Sequence, residues 1–387
     1  LPLADVAIIG GGPAGAAAAI RLARRGWHVT LLDRASFPRP KVCGEALSPA
    51  AVQLLDELGV WPACQQAGAW PFLGLRLHGP DGNQVVAHYP GGQLGWSISR
   101  LDLDTLLVAA ARAAGAAVRE RWRISSLQRT EGIWTLDGPD IVQARSVIVA
   151  AGRHQHLLPA SLRPRRSRRI VLVAPVGGIG GLGRELEVIL PRHGPPAIIA
   201  PQGLNAASIA LIFDGIRPPT GPDGFLASLR ALPGHGERFA EAAPLTPVRG
   251  MAIRTGRTDR PAFDGGLAAG DAYGCIDPLT GHGLTLALAS GIQAADMLDV
   301  GLRVGRLDGR FLQTYAEGLD AQFVPQQQFA ALLVRLSRHP WLVNALLRRL
   351  ARQPQLCDDL AAIQGGLRPA EMVWPLLQQV ALARTAA

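Results

Sequence analysis

The chain has 387 residues, 48% of them hydrophobic and 18% charged, which excludes a disordered or fibrous protein and provides core enough for two packed domains. Its net charge of +9 comes almost wholly from arginine, Lys41 being the sole lysine, and the arginines do not alternate with aromatics as in a nucleic-acid binder. No apolar run approaches the ~20 residues of a membrane span, and Cys43, Cys64, Cys275 and Cys357 are scattered without metal-site spacing, so neither a spanning protein, a disulfide framework nor a metal site is expected.

Residues 6–9 read as a short buried strand, 14–25 as an Ala-rich helix and 28–32 as a second strand ending in Asp33. Between the first two lie Gly10, Gly12 and Gly15, with Pro13 and Ala14 at the helix start, in the pattern G-x-G-x-x-G. Glycines at this spacing serve a tight turn, close backbone approach to a pyrophosphate and close helix–strand packing. The helix start adds free N–H groups and partial positive charge for the phosphates. Asp33, 23 residues after Gly10, is placed to accept hydrogen bonds from a ribose. With the chain entering a core strand at once, no signal peptide is read and the expected location is the cytoplasm.

A loop over 34–47 leads to a helix over 49–58, two strands over 73–78 and 84–89 joined by a turn, and an amphipathic helix over 101–114. Segments 118–127, 133–136 and 141–142 read as a three-strand meander, and 147–150 as a buried strand opening into Ala151 and Gly152. Strand-like runs at 170–174, 186–190, 197–200 and 207–213 alternate with Gly/Pro loops, the pattern of a β-rich domain inserted into the first. Residues 265–269 lead into Gly270 and Asp271, then a long apolar helix over 283–298, and from 311 the chain is mostly helical. The expected fold is α/β: a discontinuous Rossmann-like domain (1–70, 96–160, 255–300), a β-sheet substrate domain (71–95, 161–254) and a helical C-terminus (301–387).

Three further segments carry chemistry. The first runs from Asp33 and Arg34 through Phe37, Pro38, Arg39, Lys41, Cys43 and Gly44 to Glu45. The second is Trp96-Ser-Ile-Ser-Arg100 followed by Leu103 and Asp104. The third is Gly270-Asp271 followed by Gly274, Cys275 and Pro278-x-x-Gly281-His282-Gly283. Together they closely resemble the FAD-dependent geranylgeranyl reductase-like group within the aromatic-hydroxylase superfamily, which includes polyprenyl reductases, flavin halogenases and hydroxylases. The resemblance covers roughly residues 4–155 and 250–300.

The resemblance implies noncovalent FAD and a substrate cavity between its ring and the strands of 170–254. Asp271 would then bond the ribityl chain. Pro278, Gly281, His282 and Gly283 would open a helix whose N–H groups favour the anionic reduced flavin. Arg100 would contact the cofactor and Arg34 would lie over the adenine. Lys41, Cys43, Gly44 and Glu45 would lie near the ring. Lys41 would neutralise reduced flavin or a phosphate. Cys43 either touches the ring or shapes the cavity, or is a small packed residue. Glu45 is either a proton donor or a cap for the helix that follows. His282 either donates a hydrogen bond to flavin or its bound oxygen, or is a solvated helix-start histidine.

Departures from the wider family matter too. The Asp-Gly pair associated with NAD(P)H use is here Ala151-Gly152-Arg153-His154, which puts the external reductant, NADH or NADPH, in question. Trp96-Ser-Ile-Ser lacks the halogenase pattern, and no second lysine is present to carry a halogen. A cationic loop over 163–169 reads as a 2′-phosphate site, a dock for an acidic partner or a solvated loop. Basic helices over 329–354 suit a membrane surface, an acidic protein or carrier domain, or packing on the body with arginines outward. The leading functional expectation is a monooxygenase using O2 through a flavin C4a-hydroperoxide to hydroxylate an apolar or aromatic substrate, including one carried on a partner protein such as a tryptophan side chain. The alternatives are a polyprenyl or other alkene reductase and a non-catalytic flavoprotein serving maturation or electron transfer.

Overall fold

A computed structural model describes residues 3–153 and 165–382. The chain opens with β1 (Ala4–Ile9), α1 (Pro13–Arg24) and β2 (Val29–Leu32), followed by β3 (Ala46–Leu47), α2 (Pro49–Glu57) and α3 (Trp61–Gln66). Next come β4 (Trp70–Phe72), β5 (Gly74–His78), β6 (Gln84–His88), β7 (Gly95–Ser97) and α4 (Arg100–Ala113), then β8 (Ala117–Arg119), β9 (Ser126–Thr130), β10 (Ile133–Asp137) and β11 (Ile141–Val149). The middle of the chain gives β12 (Arg165–Gly177), β13 (Leu186–Ile189), β14 (Ala197–Pro201), β15 (Ala207–Asp214), α5 (Gly221–Arg230), β16 (Ala243–Pro244) and β17 (Arg249–Arg257). Short strands β18 (Ala262–Phe263), β19 (Gly266–Ala268) and β20 (Gly274–Cys275) precede α6 (Gly283–Val304), α7 (Gly309–Ser337), α8 (Pro340–Leu350), α9 (Pro354–Gln364) and α10 (Val373–Leu382).

One sheet has the order β18-β19-β11-β1-β2-β8, with β10 on β11 and β9 on β10. Strands β8, β2, β1, β11 and β19 run parallel, and α1 and α6 pack together on this sheet's core. The central stretches 6–9, 31–32 and 147–149 are apolar and buried, as burial on both faces requires. Their C-terminal ends deliver Gly10, Asp33, Ala150 and Gly270 to one edge, where such sheets bind nucleotides.

The second sheet runs β20-β17-β12-β15-β14-β13-β5-β6, with β16 on β12. Its alternation sends Val171, Val173, Leu186, Val188, Ile198, Ala210 and Ile212 to one face and Leu172, Ile189, Ile199, Ile209 and Leu211 to the other. The second face is covered by Phe225 and Leu229 of α5 and by Phe239. Residues of α7 to α10 pack over the first face.

The expected meander is corrected. Residues 118–127 are two strands, β8 parallel to β2 and β9 antiparallel to β10, separated by Trp122, whose indole donates to Asp140 at 2.6 Å. Residues 141–142 and 147–149 belong to one long strand, β11, which ends just before Ala150, because its outer half needs β10 for pairing and its inner half β1 and β19. The cationic segment 163–169 is not a loop where it is described: from Arg165 it belongs to β12, while Arg163 lies outside the described residues, as does His154. Helix α5 and the small sheet β3-β7-β4 carry no signal strong enough to be read beforehand; both are short. Among the described residues no helix is long and apolar enough to cross a membrane.

Candidate active site

The phosphate turn follows from four contacts. Gly10 has φ 106°, and a Cβ there would lie 2.3 Å from the Ala150 carbonyl oxygen. A Cβ on Gly15 would lie 1.9 Å from the Gly10 carbonyl oxygen. Gly11 N–H donates to Asp33 Oδ2 at 2.8 Å and Ala35 N–H to Oδ1 at 2.8 Å, so the buried Asp33 carboxylate fixes the turn and keeps lone pairs for a ribose. Pro13 and Ala14 begin α1 with Gly12 as its cap and no side-chain partner for its N–H groups.

Two arginines are aimed into the same space by one carboxylate. Asp104, fully buried on α4, accepts from Arg100 Nε and NH2 at 2.8 and 2.9 Å and lies 3.4 Å from Arg39. Arg39 also reaches Asp33 at 3.5 Å, and its NH2 comes within 3.6 Å of where a Cβ on Gly12 would be. Burial works against the Arg100 charge, but Asp104 and Cys43 outweigh it and raise its pKa. Burial lowers Lys41; Asp271 pulls it back up, and Arg100, Arg153 and Arg39 add to the lowering. Gly152, at φ 63°, leaves room for the Lys41 ammonium 3.6 Å from the Cβ it lacks.

Glu45 holds a left-handed backbone with φ 60°. Its Oε1 accepts from Arg100 N–H at 3.0 Å and its Oε2 from Gln202 Nε2 at 2.8 Å. Burial raises its pKa, against the pull of Arg100 N–H, Gln202 and Ser208. Glu45 therefore takes the first free N–H of α4, whose N-cap is Ser99; the helix that follows Glu45, α2, is capped by Ser48, whose Oγ accepts from Ala51 N–H. Cys43 Sγ accepts from Glu45 N–H at 3.4 Å.

At the far end of the site, Asp277 accepts from Leu279 N–H at 3.1 Å and from the buried Arg169, which braces the turn before α6. Gly281 has φ 72°, and nothing lies within 4 Å of a Cβ built on Gly283, so the start of α6 is open. His282 departs from both readings of it. Its side chain is buried, it is not among the residues lining the cavity, and burial lowers its pKa to about 4 against the carbonyls of Thr280 and Ile363.

These residues line one cavity of about 1200 Å³. Gly10, Gly12, Pro13, Ala14, Asp33, Arg34, Lys41, Cys43, Gly44, Glu45, Arg100, Ala151, Gly152, Asp271, Pro278, Gly281 and Gly283 all border it, with Arg34 at its exposed rim; Gly15 sits behind the turn. The cavity continues past Glu45 between the second sheet and α7 to α10, where its wall becomes aliphatic: Val173, Val188 and Ala210 below, Leu333, Leu347 and Leu377 above. Arg39, Gln202 and the C-terminal leucines are the functional positions that sequence reading left unassigned.

FAD fits this set of groups. The glycine turn and the α1 start suit a pyrophosphate, and Arg39, Lys41, Arg100 and Arg153 surround the space with positive charge. Two buried guanidinium nitrogens, Arg39 Nε and Arg153 Nη2, have no hydrogen-bond partner among the described residues. Fold and site define a FAD-dependent oxidoreductase. A family model for the FAD binding domain matches residues 3–137. Menaquinone reductase of Mycobacterium tuberculosis is 30% identical over 337 residues, covering 76% of each chain. Digeranylgeranylglycerophospholipid reductase 2 of Methanothermobacter thermautotrophicus is 30% identical over 334 residues, covering 80% of this chain and 82% of the other. A flavin-dependent brominase shares the fold at a TM-score of 0.83 and 20% identity, over 99% of this chain and 100% of that one. The chain belongs to the geranylgeranyl reductase-like group of FAD-dependent oxidoreductases.

Proposed function

We propose that this flavoenzyme reduces carbon–carbon double bonds in a polyisoprenoid lipid. The observation that carries this reading is the aliphatic continuation of the cavity beyond Glu45, which offers a long apolar chain contact on every side. Two relatives whose names specify reduction of a quinone and of a prenylated phospholipid, at 30% identity, support the same choice. FAD, when bound and reduced, supplies a hydride for one carbon of a double bond. The other carbon needs a proton, and Glu45 is the carboxyl group held at the junction of the basic and aliphatic halves. Its burial favours the protonated form, while Arg100 N–H and Gln202 fix its orientation. Lys41 and the open start of α6 balance negative charge at the cofactor end. The leucines and valines of the wall exclude water and align the chain.

The aliphatic wall also favours a second reading, hydroxylation of an apolar or aromatic substrate with O2. Mass spectrometry separates the two. Holoenzyme reduced by NADH, NADPH or dithionite is incubated with menaquinone or a geranylgeranyl lipid, with and without oxygen. Reduction adds two hydrogens per double bond and proceeds anaerobically. Incorporation of an oxygen atom, only when O2 is present, would replace the reductase reading by the hydroxylase.

A further inference from the structure

We propose that the outer face of α8 docks the protein on an anionic lipid surface, a step that rests on the lipid-reductase reading. Helix α8 is two-faced. Val343, Leu346, Leu347 and Leu350 line the cavity, whereas Trp341, Ala345 and Arg348 follow one another at i, i+4 and i+7 on the opposite side, with Arg352 just past the end of the helix. Trp341 is 68% exposed, and Arg348 and Arg352 are exposed as well. One helix thickness therefore separates the aliphatic cavity from this surface. Helix α10 repeats the arrangement: Val373 and Leu377 line the cavity, and Trp374 is 44% exposed.

The charge is one-sided. Arg335, Arg348 and Arg352 fall in a stretch with no acid between Asp320 and Asp358. Of the acids on neighbouring elements, Asp214 pairs with Arg338 at 2.8 Å, and Asp81, near Arg348, pairs with Arg192 at 2.5 Å. Positive charge beside exposed tryptophan matches the interfacial zone of a bilayer, where indole rings settle and arginines meet anionic head groups. An acidic protein would satisfy the arginines, but a lipid substrate is stored in the bilayer, and α8 alone lies between this face and the cavity residues it carries. Docking there shortens the path from the bilayer to the cavity.

The test is co-sedimentation of the FAD-loaded protein with vesicles of phosphatidylcholine alone or mixed with phosphatidylglycerol. Binding to the anionic vesicles, weakened by salt, is expected. Each of Arg348→Glu and Arg352→Glu should lower partitioning by roughly tenfold. Trp341→Ala should lower it several-fold, and brominated lipid should quench less fluorescence in that variant. All three variants should keep the flavin spectrum and the turnover of a short prenyl substrate dispersed in detergent. Equal sedimentation of the double charge reversal and the wild type would overturn the proposal. So would absence of vesicle binding, or displacement from vesicles by an acidic carrier protein. Vesicle binding that responds to the substitutions but comes without reduction of any prenyl lipid would leave the docking face standing and refute the reductase reading.

Discussion

Glu45 adopts a left-handed conformation that costs a non-glycine residue about 1 kcal/mol or more, and its carboxyl group is held from two elements at once. A strained, two-sided attachment of this kind serves orientation, and Glu45→Gln tests it cleanly. The amide oxygen still accepts from Arg100 N–H, so the start of α4 and the FAD content should persist, while turnover falls roughly a hundredfold or more. Because the acid acts in its protonated form, wild-type kcat should decline as pH rises through its raised pKa, and the variant should lose that limb. An unchanged pH profile would remove Glu45 from the chemistry. His282 makes a different prediction. Its pKa is about 4 when folded against 6.5 when free, so the folded state refuses a proton that the unfolded chain accepts. Its contribution is intact above pH 6.5 and is lost as pH falls from there to about 4, amounting to ~3 kcal/mol at completion. Urea midpoints followed across that range should fall more steeply for the wild type than for His282→Gln; parallel slopes would mean that the imidazole is not held neutral.

Helices α1 and α6 hold the two ends of the cofactor site in register, and they meet at a glycine. A Cβ on Gly291 would lie 2.1 Å from the Ala14 carbonyl oxygen, so the crossing has no room for alanine. Gly291→Ala should therefore push the helices apart, with a loss of about 1–3 kcal/mol and weaker FAD binding, read by calorimetry and flavin titration. Gly283→Ala is the counterpart. Its Cβ meets no protein atom within 4 Å, so stability should hold while FAD affinity drops. Intact affinity there would displace the flavin from the start of α6. This half of the molecule was legible in the sequence because backbone geometry writes it: Gly10, Gly15 and Gly281 are needed wherever the chain makes those turns. The other half was not. Leu333, Leu347 and Leu377 have the spacing of any buried helix face, and the period is the same whether such a face meets protein or a cavity. Arg39 and Asp104 form their pair only in space, 65 residues apart, and Gln202 reaches Glu45 across 157. The split of 118–127 into two strands depends equally on partners that lie elsewhere in the chain.

On the scale of the whole molecule, the two sheets divide the work. The parallel sheet presents its C-terminal edge to a charged cofactor, and the antiparallel strands offer a flat aliphatic floor that α7 to α10 roof over. The floor should then decide which substrates fit, without touching cofactor affinity. Ala210 is the position at which to ask. It lies on β15 between Val173 and Ile198 of the adjoining strands and borders the cavity with a single methyl group. Ala210→Phe directs a ring into open volume, so folding and FAD content should change little. Long prenyl chains lose the space they need, and kcat/KM for them should fall by about tenfold or more. A short prenyl substrate that ends before Ala210 should be turned over as before. The ratio of the two rates measures where the chain runs, because a general loss of activity would lower both together. Equal rates for both chain lengths, in a variant that retains FAD, would mean that the aliphatic extension is not the substrate channel.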